Sequence, residues 1–182
     1  MNYPPNEGLS GTIADVMPDI QAYAHQSNGF VLELGVQYGD GSTVAIQRGL
    51  AGHPNPLHIS VDIEDRMVWK PQVEWWHNIV ADDTDQRTMW SVLALVTERY
   101  GERRPGLIFI DTIHSYEHMQ QELALWSYVA TDSTVWLFHD TWSCKGMTAA
   151  IREFAQANGW TYDDFRCETA TSQCGLGRMR KR

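Results

Sequence analysis

The sequence predicts an α/β fold built on a doubly wound, parallel-type sheet. Three observations carry that prediction. Short apolar runs alternate with segments of helical periodicity. The first run, Phe30 to Leu34, breaks at Gly35 into a glycine turn that continues through Gly39 and Gly41 and opens a helix. Each of five strand-like runs also ends in an acid, at the edge where such sheets hold their ligands.

The elements follow in order. Ser10 to Gln26 reads as a lead-in helix within the segment 1–29, with Pro18 in its middle; a proline there removes one helical hydrogen bond. Phe30 to Leu34 is the first strand and Thr43 to Leu50 the helix after its turn. Leu57 to Asp62, after the His-Pro-Asn-Pro loop at 53–56, is the second strand, and His77 to Ala81 a short third. Thr84 to Tyr100 carries Met89, Leu93, Val96 and Tyr100 on one helical face. Pro105 and Gly106 mark a loop before the fourth strand, Leu107 to Asp111. Tyr116, Met119, Leu123 and Trp126 have helical spacing within a helix from Tyr116 to Val129. Thr134 to Phe138 is the fifth strand. The helix from Met147 to Ala157 stops at Asn158-Gly159, a residue pair suited to a C-terminal cap. Trp160 to Arg180 suggests two further strands with a turn near Ala170 to Gln173.

Composition narrows the function. The 182 residues suit a single domain, 1–182, with a real core, and 43% of them are apolar. Asp and Glu number 23 against 14 Lys and Arg, for a net charge of −9. That balance argues against nonspecific binding to nucleic acid or an anionic membrane. The basic cluster Arg178 to Arg182 reads as a solvated tail. Three cysteines, Cys144, Cys167 and Cys174, have no framework spacing, which fits a reduced, cytoplasmic setting. No signal-peptide pattern or membrane-length apolar run is visible. Of eight tryptophans, Trp69, Trp75 and Trp76 fall in one segment that could form a pocket wall or the face of a homodimer.

The strand ends carry the chemistry. The glycines fall as G-x-x-x-G-x-G, with Glu33 two residues before the first. This departs from the G-x-G-x-x-G dinucleotide pattern. An acid there suits a ligand with an amine and hydroxyls better than one with a pyrophosphate. The second strand ends at Asp62, where a carboxylate can accept both hydroxyls of a ribose. The third ends at Asp82-Asp83, the fourth in Asp111-Thr-Ile-His114-Ser-Tyr116, and the fifth in His139-Asp140-Thr141.

With Val-Leu-Glu-Leu-Gly at 31–35, Ile-Asp-Thr-Ile-His-Ser-Tyr-Glu at 110–117 and Phe-His-Asp-Thr at 138–141, the chain resembles a class I S-adenosylmethionine-dependent methyltransferase. Within that superfamily it is similar to the small O-methyltransferase-like group. The resemblance implies a Rossmann-like, seven-stranded sheet, mostly parallel with a reversed last strand. It implies S-adenosylmethionine as cofactor, with Glu33, Gly35 and Gly39 on its methionine side and Ser42 at its carboxylate. Asp62 would hold the ribose, and Asp82 or Asp83 would flank the adenine.

Asp111 and Asp140 end strands expected to be neighbours, about 4.8 Å apart, so both carboxylates can share one Mg²⁺ or another divalent cation. Thr141 stands where related metal-dependent enzymes carry an asparagine ligand. His114 or His139 would then complete the site and favour softer metals. His114 is equally a candidate general base for a substrate hydroxyl. Strand alternation should point His139 away from Asp140, in a structural role. The acceptor implied is a small molecule, a sugar or a phenol. Two alternatives stay open: a noncatalytic S-adenosylmethionine-binding protein of the same fold, and an NAD-linked oxidoreductase.

Overall fold

The computed structural model describes residue 3, residues 11–166 and residues 175–181. Helix α1, Gly11–Gln26, runs through Pro18 and buries Val16, Met17, Ile20 and Ala24 along one stripe. The remaining elements alternate: β1 (Phe30–Leu34), α2 (Ser42–Leu50), β2 (His58–Asp62), β3 (Trp76–Val80), α3 (Gln86–Tyr100), β4 (Pro105–Ile110), α4 (Tyr116–Trp126), β5 (Val135–His139), α5 (Lys145–Asn158), β6 (Trp160–Arg166) and β7 (Gly175–Lys181). They form one seven-stranded sheet in the order β3-β2-β1-β4-β5-β7-β6. Pairs from β3 through β5 are parallel, while β7 runs antiparallel to both β5 and β6. The expected seven-stranded sheet with a reversed last strand is therefore present.

Period-two alternation assigns the faces. Leu32, Leu34, Ile108, Ile110, Trp136 and Phe138 belong to the core that contains residues of α3, α4 and α5. Val31, Leu107, Phe109 and Leu137 belong to the core shared with α1 and α2. The central strands β1, β2, β4 and β5 are covered on both faces, as parallel sheets require. Local signals set the helix ends. Asp85 accepts the Arg87 amide, Ser115 accepts the His118 amide, and Gly159 closes α5 in the left-handed conformation.

Several boundaries differ from the sequence reading. Pro105 and Gly106, read as loop, begin β4. A proline is tolerated as a first strand residue. Gly106 is needed because a Cβ there would lie 2.4 Å from Oγ of Ser27 and 2.5 Å from the Gly29 nitrogen. The register shift between Phe30 and Val31 accompanies this close approach. Helix α3 begins at Gln86 rather than Thr84, and α4 stops at Trp126 rather than Val129. The basic cluster is not a free tail: residues 178–181 lie in β7. Arg178 donates to Asp163 and to the Tyr23 hydroxyl, and Met179 beside it is fully buried. The turn expected near Ala170 to Gln173, with Cys167 and Cys174, falls outside the described residues. Trp69 and Trp75 pack against the core under α1 and α2, and Trp76 donates to Ser60. Among the described residues, no helix is long and apolar enough to cross a membrane.

Gly35 joins β1 to the site. Its φ is +82°, and a Cβ there would lie 2.1 Å from the Asp111 carbonyl oxygen. Gly35→Ala is therefore expected to lose about 1–3 kcal/mol through backbone strain alone, with the steric clash adding to it. Urea denaturation measures this; an unchanged midpoint would show that the turn relaxes freely.

Candidate active site at the carboxyl edge of the sheet

The glycine turn rests on a buried polar network. Glu33 lies on the α2 side of β1 and is fully excluded from solvent. Its carboxylate accepts from Ser42 (2.7 Å), Thr43 (3.0 Å to each oxygen) and Ser60 (2.8 Å), and pairs with Nε2 of His58 at 3.0 Å. Gln47 Nε2 lies 2.9 Å from the other nitrogen of His58. Glu33 thus ties the first turn of α2 to β1 and β2. Ser42 spends its hydroxyl on Glu33, and Gly39 packs against Trp69 and Met67.

Beside this network, Gly35, Asp62, Asp82, Asp83, Asp111 and His118 are among the residues that line a cavity of about 300 Å³. Asp62 organises the loop above it. One carboxylate oxygen accepts the amides of Val36 (2.7 Å) and Gln37 (2.9 Å), and the other accepts the Glu64 amide at 3.0 Å. A carboxylate offers about four lone-pair sites, so one remains for a ligand hydroxyl. Asp82 accepts from the amide and hydroxyl of Thr84, and these bonds lower its carboxyl pKa. Asp83 is buried; its carbonyl accepts from Trp126 and its carboxylate faces His118. Of the seven residues assigned to the cofactor by sequence, Gly35, Asp62, Asp82 and Asp83 border the cavity. Glu33, Gly39 and Ser42 are absent from its lining and support the turn.

A second constellation adjoins the first. Nε2 of His114 lies 3.2 Å from Asp111 and 3.7 Å from Asp140; Nδ1 of His139 lies 3.1 Å from Asp111 and 3.5 Å from Asp140. The four donors fall within 4.8 Å of one another. Burial raises the Asp111 carboxyl, but hydrogen bonds from His114 and His139 outweigh it and hold the group well below the ordinary carboxylate range. Strand alternation predicts that His139 turns away from Asp140; instead its ring lies 3.5 Å from that carboxylate. Alternation holds only within a strand; β5 ends at His139, and Asp140 takes the left-handed conformation with φ +56°, which redirects its side chain. A nonglycine residue held there stores about 1–3 kcal/mol of strain, a cost commonly found at functional sites. Thr141 turns the other way and donates to Asp164 at 2.9 Å, and both histidines, rather than one of them, gather with the two acids.

Two carboxylates and two imidazoles suit a divalent cation. With ligand bonds near 2.1 Å, donor atoms sit about 3.0–3.4 Å apart around an octahedral or tetrahedral ion, close to the separations found. Nitrogen donors favour manganese, iron or zinc over Mg²⁺.

His118 and Glu122 escaped the sequence reading. Their i,i+4 spacing on α4 was the signal available, and it gained meaning only when folding brought Asp83 against them.

A family model described as a methyltransferase domain matches residues 32–141. Among solved structures, the O-methyltransferase TomG from Streptomyces achromogenes, involved in tomaymycin synthesis and solved with SAM, is 12% identical. Its TM-score is 0.67, covering 100% of this chain and 92% of that one. The O-methyltransferase NovP is 12% identical, with a TM-score of 0.65 over 92% of this chain and 80% of that one. An O-methyltransferase from Bacillus cereus, in complex with SAH, is 11% identical, with a TM-score of 0.63 over 97% and 84%. At these identities the likeness is one of fold. Among curated proteins, none matches the chain.

Proposed function

Because this chain belongs to the methyltransferase domain family, we propose that it binds S-adenosylmethionine and catalyses methyl transfer to a hydroxyl of a small molecule, a sugar or a phenol. Asp111 carries the reading. It lines the cavity bounded by Gly35, Asp62 and Asp83, and it also belongs to the cluster with His114, His139 and Asp140. One carboxylate joins the donor side to the acceptor side.

The cavity chemistry fits the cofactor. S-adenosylmethionine supplies an electrophilic methyl on a sulfonium, and its ammonium and ribose diol suit an acidic lining. Asp62 keeps a lone pair for a ribose hydroxyl while it fixes the loop. Asp82 borders the adenine end, and Gly35 allows β1 and β4 to meet closely beneath the turn. Glu33, Ser42 and Gly39 hold the methionine end of the turn in shape.

On the acceptor side, Asp111, Asp140 and His139 would hold a divalent cation, which supplies Lewis acidity and lowers the pKa of a coordinated hydroxyl. His114, with 29% of its side chain exposed against 4% for His139, is the accessible base. Asp111 orients the His114 ring, which takes the hydroxyl proton as oxygen attacks the methyl carbon; the carbon–sulfur bond breaks and S-adenosylhomocysteine leaves as a neutral thioether. Holding the two reactants in line supplies much of the rate. The net charge of −9 supports a small acceptor over nucleic acid.

Calorimetry with S-adenosylmethionine, and with NAD as the contrast, tests the cofactor. We expect binding of the former alone. Asp62→Ala, which removes a charge-assisted acceptor of about 1.5–3 kcal/mol, should weaken it roughly tenfold to a hundredfold. Absence of both heat and thermal shift with S-adenosylmethionine would end the proposal.

A further inference from the structure

A second acid–histidine cluster lies apart from the acceptor cluster. Asp83 follows β3, and His118 and Glu122 stand one turn apart on α4, on the same helix face. Nε2 of His118 is 3.2 Å from Oδ1 of Asp83 and 3.7 Å from Oε1 of Glu122. All three donors fall within 4.8 Å of one another. Thr112 donates to Oε1 of Glu122 at 2.8 Å. The other oxygen, Oε2, has no hydrogen-bond partner although Glu122 is fully buried, and Nε2 of His118 is likewise buried without one. The approach of Asp83 to that nitrogen is close but not aligned as a hydrogen bond. Buried polar atoms are nearly always satisfied, so two orphan atoms in one cluster mark a missing partner. No lysine or arginine pairs with Asp83 or Glu122 among the described ion pairs; Arg66, on the same cavity wall, is taken by Glu64.

We propose that Asp83, His118 and Glu122 form a second metal site that binds one zinc-class divalent ion through one imidazole nitrogen and two carboxylate oxygens. Around an ion with bonds near 2.1 Å, tetrahedral donors lie about 3.4 Å apart, between the two separations found. The imidazole and the dry surroundings disfavour Mg²⁺ and Ca²⁺, which prefer oxygen shells with water. Asp83 and His118 border the cavity, which gives the ion an entry path and leaves its fourth position facing that space. The ion would pin the segment after β3 to α4.

The test uses the full chain stripped with EDTA, carrying Asp111→Asn and Asp140→Asn to silence the acceptor cluster. Zinc stoichiometry is read by elemental analysis after dialysis and by calorimetry. We expect one equivalent of zinc, and visible d–d bands when cobalt replaces zinc. Adding Glu122→Gln, nearly isosteric and neutral, should weaken zinc binding about a hundredfold or more and remove the cobalt bands. If that variant fails to fold, His118→Gln, on the cavity wall, replaces it with the same expected loss. Absence of zinc from the silenced protein would overturn the proposal. So would zinc binding that the ligand substitution leaves unchanged.

Discussion

Asp140→Ala is expected to lower turnover by about a thousandfold, the scale of losing one preorganised charge-stabilising group at a reacting centre, while leaving S-adenosylmethionine affinity within about threefold. The split follows from position. Asp140 belongs to the acid–histidine cluster but does not line the cavity, whereas Asp111 does both. EDTA should reproduce the loss in the unmodified protein, and added manganese or zinc should restore activity there but not in the variant. Asp140 also has a left-handed backbone, so alanine strains the turn as well as removing the charge. Asp140→Asn separates these effects, because asparagine tolerates that conformation; it should keep the fold and still lose most activity. The measurement is a methyl-transfer assay over catechols, other phenols and sugars, with calorimetry alongside. Full activity in Asp140→Ala, insensitive to EDTA, would remove the metal from the mechanism.

Glu33→Ala should be among the most destabilising single changes in this chain, at about 3–5 kcal/mol, because it strands a buried partner. That is a large share of the roughly 5–15 kcal/mol by which a domain is stable. The fully buried carboxylate serves three hydroxyls and His58 together. Its removal orphans donors on α2 and β2, and the glycine turn above loses its anchor. Chemical denaturation gives the value, and a loss below about 1 kcal/mol would contradict the network's role. Replacing Glu33 and His58 together by leucine should recover part of the stability, since removing both partners of a buried polar pair avoids leaving either one unsatisfied. Cofactor affinity should fall in both variants, since the turn depends on the network and not on burial alone.

These two residues show how much the sequence disclosed. Glu33 stood out because an acid inside an apolar strand run rarely lies there without a partner. The sequence could not name the partners, and they come from two other elements: Thr43 from α2, and His58 and Ser60 from β2. Asp140 stood out as an acid at a strand end beside Asp111. The alternation rule then misdirected His139, because a single left-handed residue after β5 resets side-chain direction and has no signature in an Asp-Thr pair.

The sequence by itself determined the alternating architecture, the glycine turn and the row of acids at one edge. Those follow from local periodicity and from residue types whose backbone and capping preferences act over a few positions. Only the tertiary structure decided which acids are free to meet a ligand and which are consumed as supports. It also decided that His114 and His139 converge on Asp111 and Asp140, and that His118 and Glu122 meet Asp83. Such outcomes depend on strand order, on register and on burial, which set the distance between residues far apart in the chain.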